Sequence, residues 1–511
     1  MMNPLIPAII VIPLFSAFLI MATGGLVKNL AKNLTPAIML ILLIINGISF
    51  SKTGTGTQIY KIGGWEATHN IPIGIYLVMD GLTVIILFII ALLGFVSSLY
   101  SISYIRKYTA ENNFYALVCL MIAGMNGVAL SGDIFNLYVF LEISVISSYA
   151  LVAFGVEKHE LEASFKYQVL GGIASLVILL GIAFVYWRTG TLNIADIHQV
   201  LKNGQDDGYS IFLQVLLLTG FGLKAAIMPF HAWLPDAHSS APSPISAMLS
   251  GVLIKAAGIY VIMRIFFNLF VATQEIATVI TVLGTLSMVA GVFLAYGQWD
   301  IKRLLAYHSI SQMGYVVMSS GIALILISRD GNREIAALAL AGGLYHMINH
   351  AVFKGLLFLN AGAIEHRLGT RNLKEMGGLS STMPVTSATS FIASMAISGI
   401  PPFNGFFSKL IIIIAAVKGE FYLLAFLAVF VSIITLASFL KFQRYAFQNK
   451  KPVSPSNLEV PFSMTCSMII LGILCLGLSL LVLPGIREAV LDPAVQLMLD
   501  SGNYSITILG L

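Results

Sequence analysis

Long, nearly unbroken apolar stretches separated by short polar turns run from one end of the chain to the other. A hydrocarbon core about 30 Å thick is crossed by roughly 20 apolar residues in a helix. Stretches of that kind recur at approximately 4–24, 33–50, 73–100, 113–131, 134–154, 163–187, 209–238, 243–270, 274–297, 303–327, 335–361, 382–417, 420–446 and 462–484. The pattern predicts an all-α polytopic membrane protein of about 14 transmembrane helices. The polar connections leave no room for a folded soluble domain; the longest, about 51–72, carries Gly-rich turns and Trp65. The first apolar stretch starts at once, without a basic leader or a small-residue cleavage site, and is expected to be a retained span.

Prolines interrupt two of the stretches. The seventh reads GFGLKAAIMPFHAWLPDAH around Pro229 and Pro235, and the twelfth reads SGIPPFNGFFSK around Pro401 and Pro402. Proline inside a helix removes a backbone donor and frees carbonyls. Within a bilayer that is tolerated only where protein or a water-filled cavity satisfies the freed groups, so each break marks a candidate site. The breaks lie five spans apart, as two five-helix repeats would place them, and an odd number of spans inverts the second repeat. The expected organisation is 1–112 (helices 1–3), 113–270 (first inverted repeat, helices 4–8), 271–446 (second inverted repeat, helices 9–13) and 447–511 (helix 14 and tail).

Composition agrees, since 58% hydrophobic and 10% charged residues leave too little polar surface to cover a soluble body of 511 residues. The net charge of +5 matters less than its distribution. With the amino terminus outside, fifteen basic residues fall on the inner side, among them Lys28, Lys302, Lys450 and Lys451. Nine fall on the outer side, among them Lys52 and Arg264. That excess predicts a cytoplasmic-membrane protein with both termini outside. No basic run interleaved with aromatics suggests nucleic acid. Cys119, Cys466 and Cys475 sit singly in apolar spans and read as small buried hydrophobes.

Ionisable side chains deep in such spans are costly and require a partner, water or a function. Glu142 lies about eight residues into the fifth span, with Asp133 nearer its start. Lys224 precedes the Pro229 break, and Lys255 falls mid-way along the eighth span. His346, His350 and Lys354 are spaced i, i+4 and i+8 on one helix face, and Lys409 follows the second break. His231, His238 and His308 are possible accessory residues. Taken singly, each has a plain structural reading: a snorkelling lysine, an ion-pair partner, a packed histidine. Independent accidents would not supply this series across successive core helices. Lysine and histidine in series point to protons, because a sodium site needs a cluster of oxygen ligands and lysines would repel the cation. Glu142 beside Lys224 would stabilise the lysine's charge, and separating the two would favour proton release toward Lys255.

The motifs DIFNLYVFLEISVISSYALVAF, EASFKYQVLGG, GLKAAIMPFHAWLPDAHSSAPSPISAMLSGVLIKAAGIY, DIKRLLAYHSISQMGY, HMINHAVFKGLLFLNAG and GIPPFNGFFSK resemble the antiporter-like family. That family comprises the large subunits of Mrp-type cation/proton antiporters, the proton-pumping membrane subunits of respiratory complex I, and relatives in membrane-bound hydrogenases. The resemblance covers about residues 75–445 and is greatest to the Mrp D subunit and the corresponding subunit of archaeal membrane-bound hydrogenase. It implies fourteen spans, two inverted repeats with a broken helix each, and a charged axis in the membrane plane. By the resemblance, Glu142 is the fifth-helix glutamate, Lys224 its seventh-helix partner and Lys255 the eighth-helix lysine. His346, His350 and Lys354 become the eleventh-helix connection and Lys409 the terminal lysine, where some complex I relatives carry glutamate. The lateral helix of the largest relative is not expected in this chain.

The expected function is that of a proton-translocating subunit in a multi-subunit ion-pumping complex. Its expected partners are other membrane subunits and a hydrogenase or dehydrogenase arm, the alternative being a stand-alone Mrp sodium/proton antiporter. No cysteine cluster, defensible haem-ligand pair or dinucleotide motif points to a cofactor or metal in this chain. An organic-solute transporter would also use repeats and broken helices. It does not call for a lysine/histidine series.

Overall fold

In a bilayer a helix satisfies its own backbone without water, and the apolar stretches accordingly fold as helices. The computed structural model describes residues 3–27, 29–53, 56–65, 72, 74–203, 207–271, 273–329, 331–448 and 459–510. In chain order the helices are α1 (Leu5–Thr23), α2 (Leu30–Thr53), α3 (Gly81–Tyr104), α4 (Glu111–Leu130), α5 (Ile134–Val152) and α6 (Lys158–Thr189). Next come α7 (Ile194–Lys202), α8 (Asp207–Lys224), α9 (Trp233–Ser240), α10 (Ser243–Leu269), α11 (Gln274–Tyr296), α12 (Ile301–Ser328) and α13 (Arg333–Leu368). Then follow α14 (Pro384–Ser398), α15 (Asn404–Lys418), α16 (Tyr422–Gln448) and α17 (Phe462–Val482), and three short helices end the chain: α18 (Pro484–Val490), α19 (Asp492–Leu499) and α20 (Ser501–Leu509).

Twelve helices among the described residues are long and apolar enough to cross a membrane. The remaining two predicted spans are those with the prolines, and each is split in two: α8 with α9, and α14 with α15. Protein groups take up the broken backbone. The Met228 N–H donates to Ser287 Oγ at 2.9 Å and the Trp233 indole donates to the Leu223 carbonyl at 2.9 Å. At the second break Lys409 Nζ donates to the Ile397 carbonyl at 2.8 Å, and Asn349 Nδ2 donates to the Asn404 carbonyl at 2.9 Å.

Three features differ from the sequence expectation. The third span starts at Gly81, not near 73, because Tyr76–Met79 is a strand (β2) paired antiparallel with β1 (Gln58–Lys61). Four apolar residues do not declare whether they are helix or strand; Asp80 decides the boundary by capping α3 through the Thr83 N–H at 2.9 Å. Arg264, counted among the basic residues of the outer side, is buried: it is 2% exposed and paired with Asp80 at 2.8 Å. Lys302 is likewise buried, and pairs with Glu365 at 2.9 Å. Of the other basic residues used for orientation, Lys28, Lys450 and Lys451 lie outside the described residues, as does the side chain of Lys52.

Large apolar side chains such as Phe15, Phe18, Phe165, Leu176, Phe426 and Ile473 point outward, the arrangement a lipid solvent favours. The interior contains α10, buried at every residue from Ser243 to Leu269 and interrupted by three π-helical turns, Leu249–Leu253, Lys255–Ile259 and Ile265–Leu269. Each π turn inserts an extra residue and rotates the following side chains. The α13 helix packs beside it, and is buried from Ala339 to Ile364.

Candidate functional site

The first element of the site is a three-residue contact between α5, α6 and α8. Glu142 Oε1 accepts from the Ser175 hydroxyl at 2.5 Å, and that hydroxyl accepts from Lys224 Nζ at 2.8 Å. The direct carboxylate–ammonium distance is 3.6 Å. Lys224 is almost wholly buried at 3% exposure, while Glu142 retains 25%. Lys224 ends α8 where the backbone turns into the break, so the proline interruption fixes which way the lysine leaves its helix.

The helix α10 rests directly on that break. A Cβ placed on Gly258 would lie 2.5 Å from the Ala225 Cα, next to Lys224 in the chain. Gly258→Ala therefore forces α10 off the break and should destabilise the protein by about 1–3 kcal/mol, as overpacking does. A melting temperature of the purified protein equal to wild type would sink this. Three residues before Gly258, Lys255 is 1% exposed and donates to the Ser250 carbonyl at 2.8 Å. Ser250 in turn shares a 2.7 Å hydroxyl contact with Ser309 of α12.

From α10 the polar groups continue along α13. Lys354, His350 and His346 are each 0% exposed. His238 of α9 is also fully buried, its ring 6.0 Å from that of Phe358, over which Lys354 sits at 5.8 Å. Lys354 Nζ and both ring nitrogens of His350 and of His238 have no protein hydrogen-bond partner among the described residues. Buried polar atoms that the protein leaves unmatched are the ones internal water serves. His346 is held on both sides, Nδ1 at 3.0 Å from Ser408 Oγ and Nε2 at 3.2 Å from Gln312 Oε1. Next to Ser408 stands Lys409, buried, donating to Ser432 Oγ at 3.0 Å and lying 5.0 Å over the Tyr315 ring.

The accessory candidates separate. His308 is buried with Nε2 2.8 Å from Ser438 Oγ, and belongs to the α12–α16 packing near the series. His231 is half-buried within the first break, whereas His238 is fully buried. Asp133 is the cap of α5, accepting from the Asn136 N–H at 2.7 Å, and pairs through its backbone with Asn193. Nine residues separate it from Glu142, about 13 Å of helix. Two polar groups escaped sequence reading. Ser175, in an apolar run, looks like any small packing residue. The Asp80–Arg264 pair unites two charges 184 residues apart, and is ringed by Thr83, Tyr260 and Asn268. Cys119 and Cys475 are buried and Cys466 is half-buried, all three free.

A second capping arrangement repeats the first. Asp300 caps α12 through the Arg303 N–H at 2.9 Å and pairs through its backbone with Asn372. Asn193 and Asn372 each cap the element that follows, as Asp133 and Asp300 cap theirs.

Residues 131–435 match the family model described as NADH:quinone oxidoreductase/Mrp antiporter, transmembrane. The chain is 36% identical over 427 residues to the D subunit of the Na(+)/H(+) antiporter of Alkalihalophilus pseudofirmus, covering 83% of each. It is 31% identical over 504 residues to the N subunit of the NADH-quinone oxidoreductase of Desulforudis audaxviator, covering 96% of this chain and 97% of that one. Among solved structures it superposes on a chain of the Mrp complex from Dietzia sp. with TM-score 0.88, 26% identity and 99% coverage of both. It also superposes on a chain of the membrane-bound sulfane sulfur reductase, an archaeal respiratory membrane complex, with TM-score 0.89, 29% identity and coverage of 99% and 100%. With the family model matching more than half of its length and a relative aligned almost end to end, the chain belongs to the NADH:quinone oxidoreductase/Mrp antiporter family of membrane proteins.

Proposed function

We propose that this chain is the proton-carrying membrane subunit of a multi-subunit ion-pumping complex. The observation that carries the reading is the buried polar series itself, running from Glu142, Ser175 and Lys224 to Lys255, then His350, Lys354 and His346, and on to Lys409. In it Glu142 holds Lys224 protonated, and a positive charge arriving nearby releases that proton toward Lys255. Internal water serving His238, His350 and Lys354 would join α10 to α13. Protons would enter and leave by half-channels at the two broken helices. The matched Asp133–Asn193 and Asp300–Asn372 arrangements support a division into inverted repeats 113–270 and 271–446, flanked by 1–112 and 447–511. The basic-residue distribution supports both termini outside the cytoplasmic membrane.

The test uses the intact complex in proteoliposomes with a pH-sensitive dye. Glu142→Gln and Lys224→Ala, made separately, should each lower proton movement at least about tenfold with normal assembly. Full activity in both would reject the reading. A hydrogenase-type arm coupling redox chemistry to transport is favoured by the likeness to a respiratory membrane complex; an Mrp antiporter setting is favoured by the likeness to an antiporter's D subunit. Stoichiometric nickel and iron in the purified complex would select the first, and their absence the second. A sodium requirement at fixed pH would show whether sodium is exchanged by the partners.

A further inference from the structure

The ion pair of α5 and α8 is not a direct hydrogen bond. At 3.6 Å, Lys224 Nζ and Glu142 Oε1 are beyond hydrogen-bond range. The Ser175 hydroxyl lies within that range of both, at 2.8 Å from the nitrogen and 2.5 Å from the oxygen. An ammonium has only donors, so Ser175 accepts from Lys224, and its single hydrogen is then free to point at Glu142. We propose that Glu142 and Lys224 exchange a proton reversibly through the hydroxyl of Ser175, the reverse step recharging the lysine after it has released its proton toward Lys255.

The step balances without any further reagent. The Ser175 O–H bond breaks as its proton joins Glu142 Oε1, while one Lys224 N–H bond breaks as that proton joins Ser175 Oγ. The pair ends as a neutral amine and a neutral carboxylic acid, and serine is unchanged in composition. What has changed is the direction of its hydroxyl, which must turn back before the next transfer. A resting place for that turn exists: the Gly171 carbonyl lies 3.0 Å from Ser175 Oγ, one helical turn back on α6. The buried hydroxyl thus keeps an acceptor whether or not Glu142 is there to supply one, and opening the pair leaves no orphaned donor. The register that sets Ser175 opposite Glu142 comes from the α5–α6 seam, where Gly171 has no Cβ and the Tyr149 hydroxyl occupies the space one would fill. Glu142, at 25% exposure, is the more accessible partner, and Lys224, at 3%, the buried one.

The inference rests on the proposed role of Glu142 and Lys224, and the experiment separates the two. Ser175→Ala, Ser175→Thr and Ser175→Cys are compared with Glu142→Gln in the intact reconstituted complex, reading the proton-movement rate and its pH profile. Ser175→Ala is expected to lose about tenfold or more in rate and to shift the profile. Threonine, which keeps the hydroxyl, should restore both, and cysteine, a weak donor of similar size, should fall between. Wild-type rate and profile in Ser175→Ala, with Glu142→Gln inactive, would overturn the relay and leave the site standing. Wild-type behaviour in both would remove the site as well. If the alanine variant fails to assemble, threonine and cysteine decide alone: equal rates overturn the relay, and a slower cysteine variant with a shifted profile supports it.

Discussion

Lys255→Ala is expected to stop proton movement by the intact complex while leaving assembly in place. The side chain is buried, in a helix buried throughout, and among the described residues its one hydrogen bond is to the Ser250 carbonyl of its own helix. Removing it breaks no link to another element. What is lost is the single lysine of α10, the member of the series between the Lys224 break and α13. A missing proton carrier costs roughly 10²–10⁴ in rate, so activity should fall to the background of empty vesicles. Lys255→Arg should fail too, because a guanidinium does not release its proton. The measurement is proton uptake by proteoliposomes alongside sodium movement in the same vesicles. Proton movement left unchanged while sodium movement disappears would overturn the assignment of the proton to this chain.

The largest effect on stability is expected at Asp80. Asp80 and Arg264 are 1% and 2% exposed and bonded at 2.8 Å, with Arg264 Nη2 also donating to Thr83 Oγ1 and to the Tyr260 hydroxyl. Tyr504 of α20 lies 5.4 Å beneath the guanidinium, and Asn268 Nδ2 donates to the Leu497 carbonyl of α19 at 3.0 Å. The pair thus ties α3, the end of α10 and the carboxy-terminal helices together. Asp80→Ala strands a buried guanidinium, and leaving one charge of a buried pair uncompensated costs about 3–5 kcal/mol. Arg264→Met should be milder, because Asp80 keeps its bond from the Thr83 N–H. The double variant Asp80→Leu, Arg264→Met should recover most of the loss, since apolar replacement of both members is often neutral. Thermal unfolding of the purified protein checks the order, and a double variant no more stable than Asp80→Ala would refute it.

Much of the architecture was legible from the chain because a bilayer leaves few choices. Apolar length predicted the spans, and proline at Pro229, Pro401 and Pro402 predicted where two of them break. Burial of Lys224, Lys255, His346, His350, Lys354 and Lys409 was likewise anticipated from their positions along the spans. What stayed hidden is the pairing of charges whose partners are distant. The charge distribution puts Arg264 on the outer side but says nothing of its burial; Asp80 reaches it only once α3 and α10 pack. Asp133, an accessory candidate, has a local task as well, capping its own helix.

By itself the sequence determined the solvent, the spans, the two breaks and the residue types available for proton chemistry, since hydrophobic length and the missing N–H of proline act locally. Tertiary structure alone decided which of those residues meet. It placed a plain serine of α6 between the Glu142 carboxylate and the Lys224 ammonium, and it interrupted α10 with π turns around Lys255. It also left Lys354, His350 and His238 without protein partners among the described residues of the interior. A hydrogen bond depends on a few tenths of an ångström between elements far apart in the chain, and periodicity along one helix contains no such distance.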